Sequence, residues 1–207
     1  MLTAILFAFG TLLPIANPLS TAFVFNSMAS GRPIAERKHI ALVASLTSAF
    51  VLLFFMFAGH YLLSFFGITI YAFRVAGGLY LGKIGFDMLS SELIKDPESY
   101  DGVQDDLAVI PLAIPLLAGP GSMTAVLVLS QEASPEVFAA VATAIMLIAL
   151  AAWVFLRWAH TLNKVFGAVG TKALERVLGL IVLVIAVQFL FNGISGYMES
   201  IGIGLFE

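Results

Sequence analysis

The residues of this chain best able to do chemistry fall in two short stretches: Asn17, Pro18, Ser20 and Thr21, then Gly119, Pro120, Gly121, Ser122 and Thr124. Asparagine or glycine followed by proline is the pattern of a helix start, with Asn17 or Gly119 at the cap and Pro18 or Pro120 at the first helical position. Ser20 and Ser122 then both occupy the third position. A helix start aims free N–H groups and the positive end of its dipole at whatever lies before it, which suits a carboxylate. The orphan carbonyls ending the preceding segments, around Ile15 and Ala16 and around Leu117 and Ala118, suit an ammonium group. A small zwitterion fits both demands.

Both stretches lie inside apolar runs. The 207 residues are 60% hydrophobic and 11% charged, with a mean hydropathy of +1.03. Soluble domains are roughly 45–50% apolar and 25% charged, so the chain reads as an all-α integral membrane protein. A span needs about 20 mainly apolar residues, and six runs qualify, near 2–28, 40–65, 72–91, 107–130, 137–160 and 174–198. Proline inside a helix costs about 3 kcal/mol or more, and lipid cannot satisfy the backbone groups it releases. Broken backbone at membrane depth is tolerated where it is buried in protein or lines a polar cavity. With about 1.5 Å of rise per residue, Pro18 and Pro120 both come near the midplane, so spans one and four are expected to be broken there.

The chain repeats itself. "HYLLSFFG" at 60–67 matches "HTLNKVFG" at 160–167, "RVAG" at 74–77 matches "RVLG" at 176–179, and "GLYLGKIGFDML" at 78–89 is answered by "GLIVLVIAVQFL" at 179–190. "NPLS" at 17–20 falls opposite "GPGS" at 119–122, and all the matches keep an offset of 100 to 102 residues. Internal repeats of this kind are a mark of transporter folds. Each half has an odd number of spans, so the second must enter from the opposite side. The expected architecture is two inverted three-helix repeats, 1–95 and 107–207, joined by an acidic linker at 96–106.

Arg32, Arg37, Lys38, Lys95, Arg157, Lys164 and Lys172 lie in or beside the loops after spans one, three and five. The positive-inside rule makes those loops cytoplasmic and puts both termini outside. The start "MLTAILFAFG" lacks a basic leader region and reads as a retained first span. No cysteine is present and the three histidines show no ligand spacing, so neither metal nor cofactor is expected. The charge of −3, with scattered basic residues, gives no nucleic-acid footprint. No nucleophile, base and orienter stand within reach of one another, which argues against an enzyme.

Within the spans, Asp87 is a costly group with two readings, an ion pair with Lys83 one turn earlier or a coupling carboxylate. Gln188 and Asn192 project away from the glycines of the last span and are read as lining a cavity or bonding between helices. Arg74 and Arg176 read as interfacial anchors, Asp101, Asp105 and Asp106 as a solvated loop, and His60 and His160 as packing or interfacial residues.

"NPLST", "DDLAVIPLAIPLLAGPGSMTA" and "ERVLGLIVLVIAVQFLFNGI" together resemble the MarC family over essentially the whole chain. The resemblance implies six spans in two inverted repeats, helix breaks at Asn17, Pro18, Gly119, Pro120 and Gly121, and transport of small neutral amino acids such as glycine and alanine, with proton coupling suggested. The reading is therefore a secondary transporter of the inner membrane, working by alternating access, whose substrate site uses the residues of the two breaks with Gln188 and Asn192. A small-solute channel, or an exporter of other metabolites, is the competing reading. Exact substrate, direction, coupling ion and oligomeric state do not follow from the sequence.

Overall fold

The computed structural model of the chain describes residues 1–29, 31–90, 107–131 and 134–202. Among them every regular element is a helix: α1 (Leu2–Ala16), α2 (Pro18–Met28), α3 (Ile34–Phe65), α4 (Ile70–Ser90), α5 (Ala108–Leu117), α6 (Pro120–Ser130), α7 (Pro135–Arg157) and α8 (Ala159–Ser200). The linker at 96–106, with Lys95, Asp101, Asp105 and Asp106, lies outside the described residues, as does the side chain of Lys164.

Four stretches are long and apolar enough to cross a bilayer: Leu2–Asn26, Ile34–Phe65, Pro135–Arg157 and Val169–Ser200. The pair α5 and α6, bent by 54° where they meet, makes a fifth if taken as one span. The sixth expected span, α4, is a helix of 21 residues where expected. Arg74, Lys83 and Asp87 lie along it, and it does not meet the same standard of length and apolar composition. Large apolar side chains cover the outside of the bundle, among them Phe50, Phe54, Leu180, Val184 and Phe191, as a lipid-facing surface requires. This is a multi-pass integral membrane protein.

Small residues bring the helices together. α4 and α8 run antiparallel with their glycines in the contact, Gly78 against the Ala186 carbonyl and Leu190, Gly85 against Gly179 and Leu183, and Gly193 against Val75 and the Tyr71 carbonyl. α1 and α2 pack on α7, while α5 and α6 pack on α3. The main core joins Leu12, Ile15, Leu52, Leu81, Met88, Val126, Ile145 and Val182.

The helix ends sort into two groups. Arg37 and Lys38 of α3, Arg157 of α7 and His160 of α8 line one pocket with Ile34 and Leu156. At the far ends of α3 and α7, Met56, Phe57, His60 and Tyr61 line another with Leu127, Ser130, Gln131 and Phe138. The N-terminal ammonium pairs with Glu136 at this second end. The loops after the first and fifth spans thus share one end, as the charge pattern requires.

The expected spans leave 161–173 as a loop, where the chain is helical with a kink. Gly167, at φ 59° and ψ −178°, breaks the helix geometry inside α8. Gly67, which matches it in the stretches 60–67 and 160–167, has φ 67° and follows the end of α3. Such positive φ is the backbone reason for glycine at both places.

Candidate functional site: two helix breaks in contact

At the first break a single residue ends one helix and starts the next. Asn17 takes the left-handed conformation, φ 42° and ψ 59°, which asparagine tolerates better than most residues, and its N–H closes α1 on the Leu13 carbonyl at 3.0 Å. Its side chain then caps α2. Oδ1 accepts from the Ser20 N–H at 3.2 Å, and Nδ2 donates to Ser20 Oγ at 2.7 Å. The same Nδ2 lies 3.9 Å from Met88 Sδ of α4, which ties the break to the third helix. Pro18 contributes no N–H, so no main-chain bond from it reaches the Pro14 carbonyl.

The second break is made differently. Ala118 N–H bonds five residues back to the Ala113 carbonyl at 2.8 Å, closing the wide turns of α5. Ile110 and Ile114, each before a proline, are extended inside it, at φ −123°, ψ 121° and φ −127°, ψ 120°. Both Ile–Pro bonds are cis. Gly119 is extended at φ −81° and ψ 171°, and a side chain there would run into the Pro115 carbonyl. Its carbonyl accepts from Met123 N–H at 2.9 Å. Pro120 has no N–H, so Gly121 and Ser122 are the start-of-helix donors left without a main-chain acceptor among the described residues.

The breaks touch. A Cβ on Gly121 would lie 3.5 Å from Ile15 Cγ2 at the end of α1, 3.4 Å from Ile84 Cδ1 and 2.7 Å from Leu81 Cδ2 of α4. Asn17, Ser20, Thr21, Ser122 and Thr124 are all buried, Ser122 to 1% exposure. The threonines differ from the serines in one respect. Thr21 Oγ1 donates to the Asn17 carbonyl at 3.1 Å and Thr124 Oγ1 to the Pro120 carbonyl at 2.8 Å, so each spends its hydrogen on its own helix.

Other expected site residues lie apart. Gln188 and Asn192 are exposed on α8 and bond to each other, Nε2 to Oδ1, at 2.8 Å. They do point away from the glycines that pack on α4, and that direction leads out of the bundle. Asp87 is half-buried, and among the described residues it has no ion pair with the exposed Lys83. Its neighbour Met88 faces the break.

Sequence reasoning missed Glu175. It lies at the start of the last span, next to the "RVLG" match and one turn before Gly179. It is 1% exposed, stands beside the Ser20 side chain, and neither carboxylate oxygen has a hydrogen bond of normal geometry. Its place on the same helix face as Gly179, one turn earlier, was the signal available.

Comparison with known proteins extends the geometry. A family model described as MarC family integral membrane protein matches residues 2–198. A UPF0056 membrane protein of Buchnera aphidicola (Schizaphis graminum) is 33% identical over 195 residues, 93% of this chain and 92% of the relative. One from Aquifex aeolicus is 36% identical over 93% of this chain and 92% of its own length, and YhcE of Escherichia coli is 34% identical over 92% and 91%. No solved structure matches.

Proposed function

The chain belongs to the MarC family of integral membrane proteins, and from that premise and the contact between its two helix breaks we propose that it is a secondary transporter of small neutral amino acids. The observation that carries the reading is Gly121 against the Ile15 side chain, which joins the break with open donors at Gly121 and Ser122 to the break where α1 ends. A helix start and a helix end presented to one small volume recognise a carboxylate and an ammonium group together.

Inverted repeats support alternating access. Moving each residue by about 101 positions exchanges the contact of Gly85 with Gly179 and that of Gly78 with Ala186. The same operation carries Met56, Phe57, His60 and Phe138 of one pocket onto the region of Leu156, Arg157, His160, Arg37 and Lys38 of the other, at opposite ends of α3 and α7. The pairing of α1 and α2 with α7 likewise exchanges with that of α5 and α6 with α3. The two breaks then lie near the membrane midplane. The basic end faces the cytoplasm, both termini face outward, and the bilayer is the inner membrane.

The first break has consumed more of its own donors than the second, because Asn17 caps α2. The carboxylate therefore belongs at Gly121 and Ser122, and Asn17 holds the first break in shape. Purified protein in proteoliposomes is expected to take up labelled glycine or alanine saturably and to show counterflow, which a channel does not. Asn17→Ala and Ser122→Ala weaken uptake. Wild-type uptake and affinity in both variants would remove the central site, and non-saturable flux without counterflow would favour a pore. An imposed pH gradient that leaves uptake unchanged would remove proton coupling alone.

A further inference from the structure

Glu175 is a buried acid inside a membrane bundle with no cation paired to it among the described residues, and its surroundings say what would complete it. The side chain is 1% exposed, and among the described residues neither oxygen has a hydrogen bond of normal geometry, with the Ser20 side chain beside it. Lys172, one turn earlier on α8, is exposed and forms no ion pair with it among the described residues, and Arg176 beside it is also exposed. On the facing elements stand Ser20 of α2, whose hydroxyl accepts from Asn17 and keeps its own hydrogen, and the break at Asn17 that Met88 of α4 touches. The first helix ends there, and among the described residues no main-chain N–H bonds the carbonyls of Pro14, Ile15 and Ala16. A buried carboxylate and a set of orphan carbonyls are all acceptors, and among the described residues the Ser20 hydroxyl is the neighbouring donor and no cation joins it. Buried charge of this kind is very costly unless a cation and hydrogen bonds satisfy it.

We propose that Glu175, with the carbonyls ending α1, is the ammonium-binding group of the central site. A primary ammonium has three N–H donors on a compact positive charge and suits this acceptor set. The proposal rests on the transporter reading only for the identity of the natural solute. It divides the site by charge: the amide donors of Gly121 and Ser122 take a carboxylate, and Glu175, beside Ser20 at the first break, takes the amine. Compounds that lack the amino group, such as acetate or lactate, are then excluded however well they fit the other half.

The test measures thermal stabilisation of the purified protein by methylamine, alanine, acetate and sodium chloride, in wild type, Glu175→Gln and Glu175→Asp. Ligands that bind the folded state raise its apparent stability. Wild type is expected to respond to methylamine and alanine but not to acetate or to sodium at equal ionic strength. Glu175→Gln is expected to need about tenfold or more of either amine, as loss of a charged hydrogen-bonding partner implies, while Glu175→Asp keeps part of the response.

A second measurement needs no variant. Modification of Glu175 by a hydrophobic carbodiimide, read by peptide mass spectrometry, is expected to slow in the presence of methylamine or alanine and not of acetate. An equal amine response in Glu175→Gln, or modification indifferent to amines, would overturn the assignment. Sodium acting where amines do not would overturn it in favour of an inorganic cation. Methylamine protection without any amino acid uptake in proteoliposomes would leave Glu175 as assigned and remove the transporter reading instead.

Discussion

A Cβ placed on Gly85 would lie 3.0 Å from the Gly179 carbonyl oxygen, and one placed on Gly179 would lie 3.1 Å from that of Gly85. The contact is reciprocal, backbone to backbone. Close approach of this sort is how helices associate in lipid, where no hydrophobic gain drives them together. Replacing Gly179 by leucine also meets Met88 Cβ, 2.6 Å from the first added carbon. The expected loss is about 1–3 kcal/mol from overpacking, read as a lower unfolding midpoint in detergent. Gly82→Ala, whose added carbon would sit 3.9 Å from Ala186 Cβ, is expected to be tolerated.

Gly67→Ala and Gly167→Ala meet nothing within 4 Å, so any loss is conformational. At φ 67° and 59° an alanine is strained, by about 1–3 kcal/mol. Gly10→Ala, also in open space but inside α1, is expected to be neutral or to stabilise slightly. Thermal unfolding of the three variants side by side separates backbone strain from packing.

Asn17 serves as C-cap of one helix and N-cap of the next. Asn17→Ala loses the cap and places alanine at φ 42°, with an expected loss of about 1–2 kcal/mol. Asn17→Gly keeps the conformation and removes only the side chain. It is expected to unfold closer to wild type and still to transport with reduced affinity, and a Gly variant with wild-type kinetics would make Asn17 a backbone device only.

Because Thr21 and Thr124 donate to their own helices, Thr21→Val and Thr124→Val are expected to change uptake by about twofold or less. Ser122→Ala is expected to do more. A large loss of affinity in either valine variant would move the solute onto the threonines.

The chain contains no cysteine, which makes single-cysteine labelling clean. Tyr61→Cys and Gln131→Cys line one pocket, and Lys38→Cys and His160→Cys the other. The first pair is expected to react with an impermeant maleimide added outside intact cells, the second only after permeabilisation. Reaction of all four from one side would refute the arrangement of ends.

The class of protein, the helical spans apart from the starts of α3 and α8, the breaks at Asn17 and Gly119 and the grouping of loop ends were legible in the sequence. Each follows from a local rule: apolar length, proline geometry, capping chemistry or the sidedness of lysine and arginine. Matched letters in the two halves were visible too, and Gly67 and Gly167 give one of those matches a backbone cause. Which polar residues face the breaks was another matter. Gln188 and Glu175 stand on the same helix, about three and a half turns apart, and their types gave no reason to prefer the second. Packing decided it, because Gly179 and Gly85 press α8 onto α4 along one face, and that choice turns Gln188 and Asn192 outward and Glu175 toward Ser20. The rotation of a helix about its own axis is set by the neighbours that it meets, and those neighbours come from the other half of the chain.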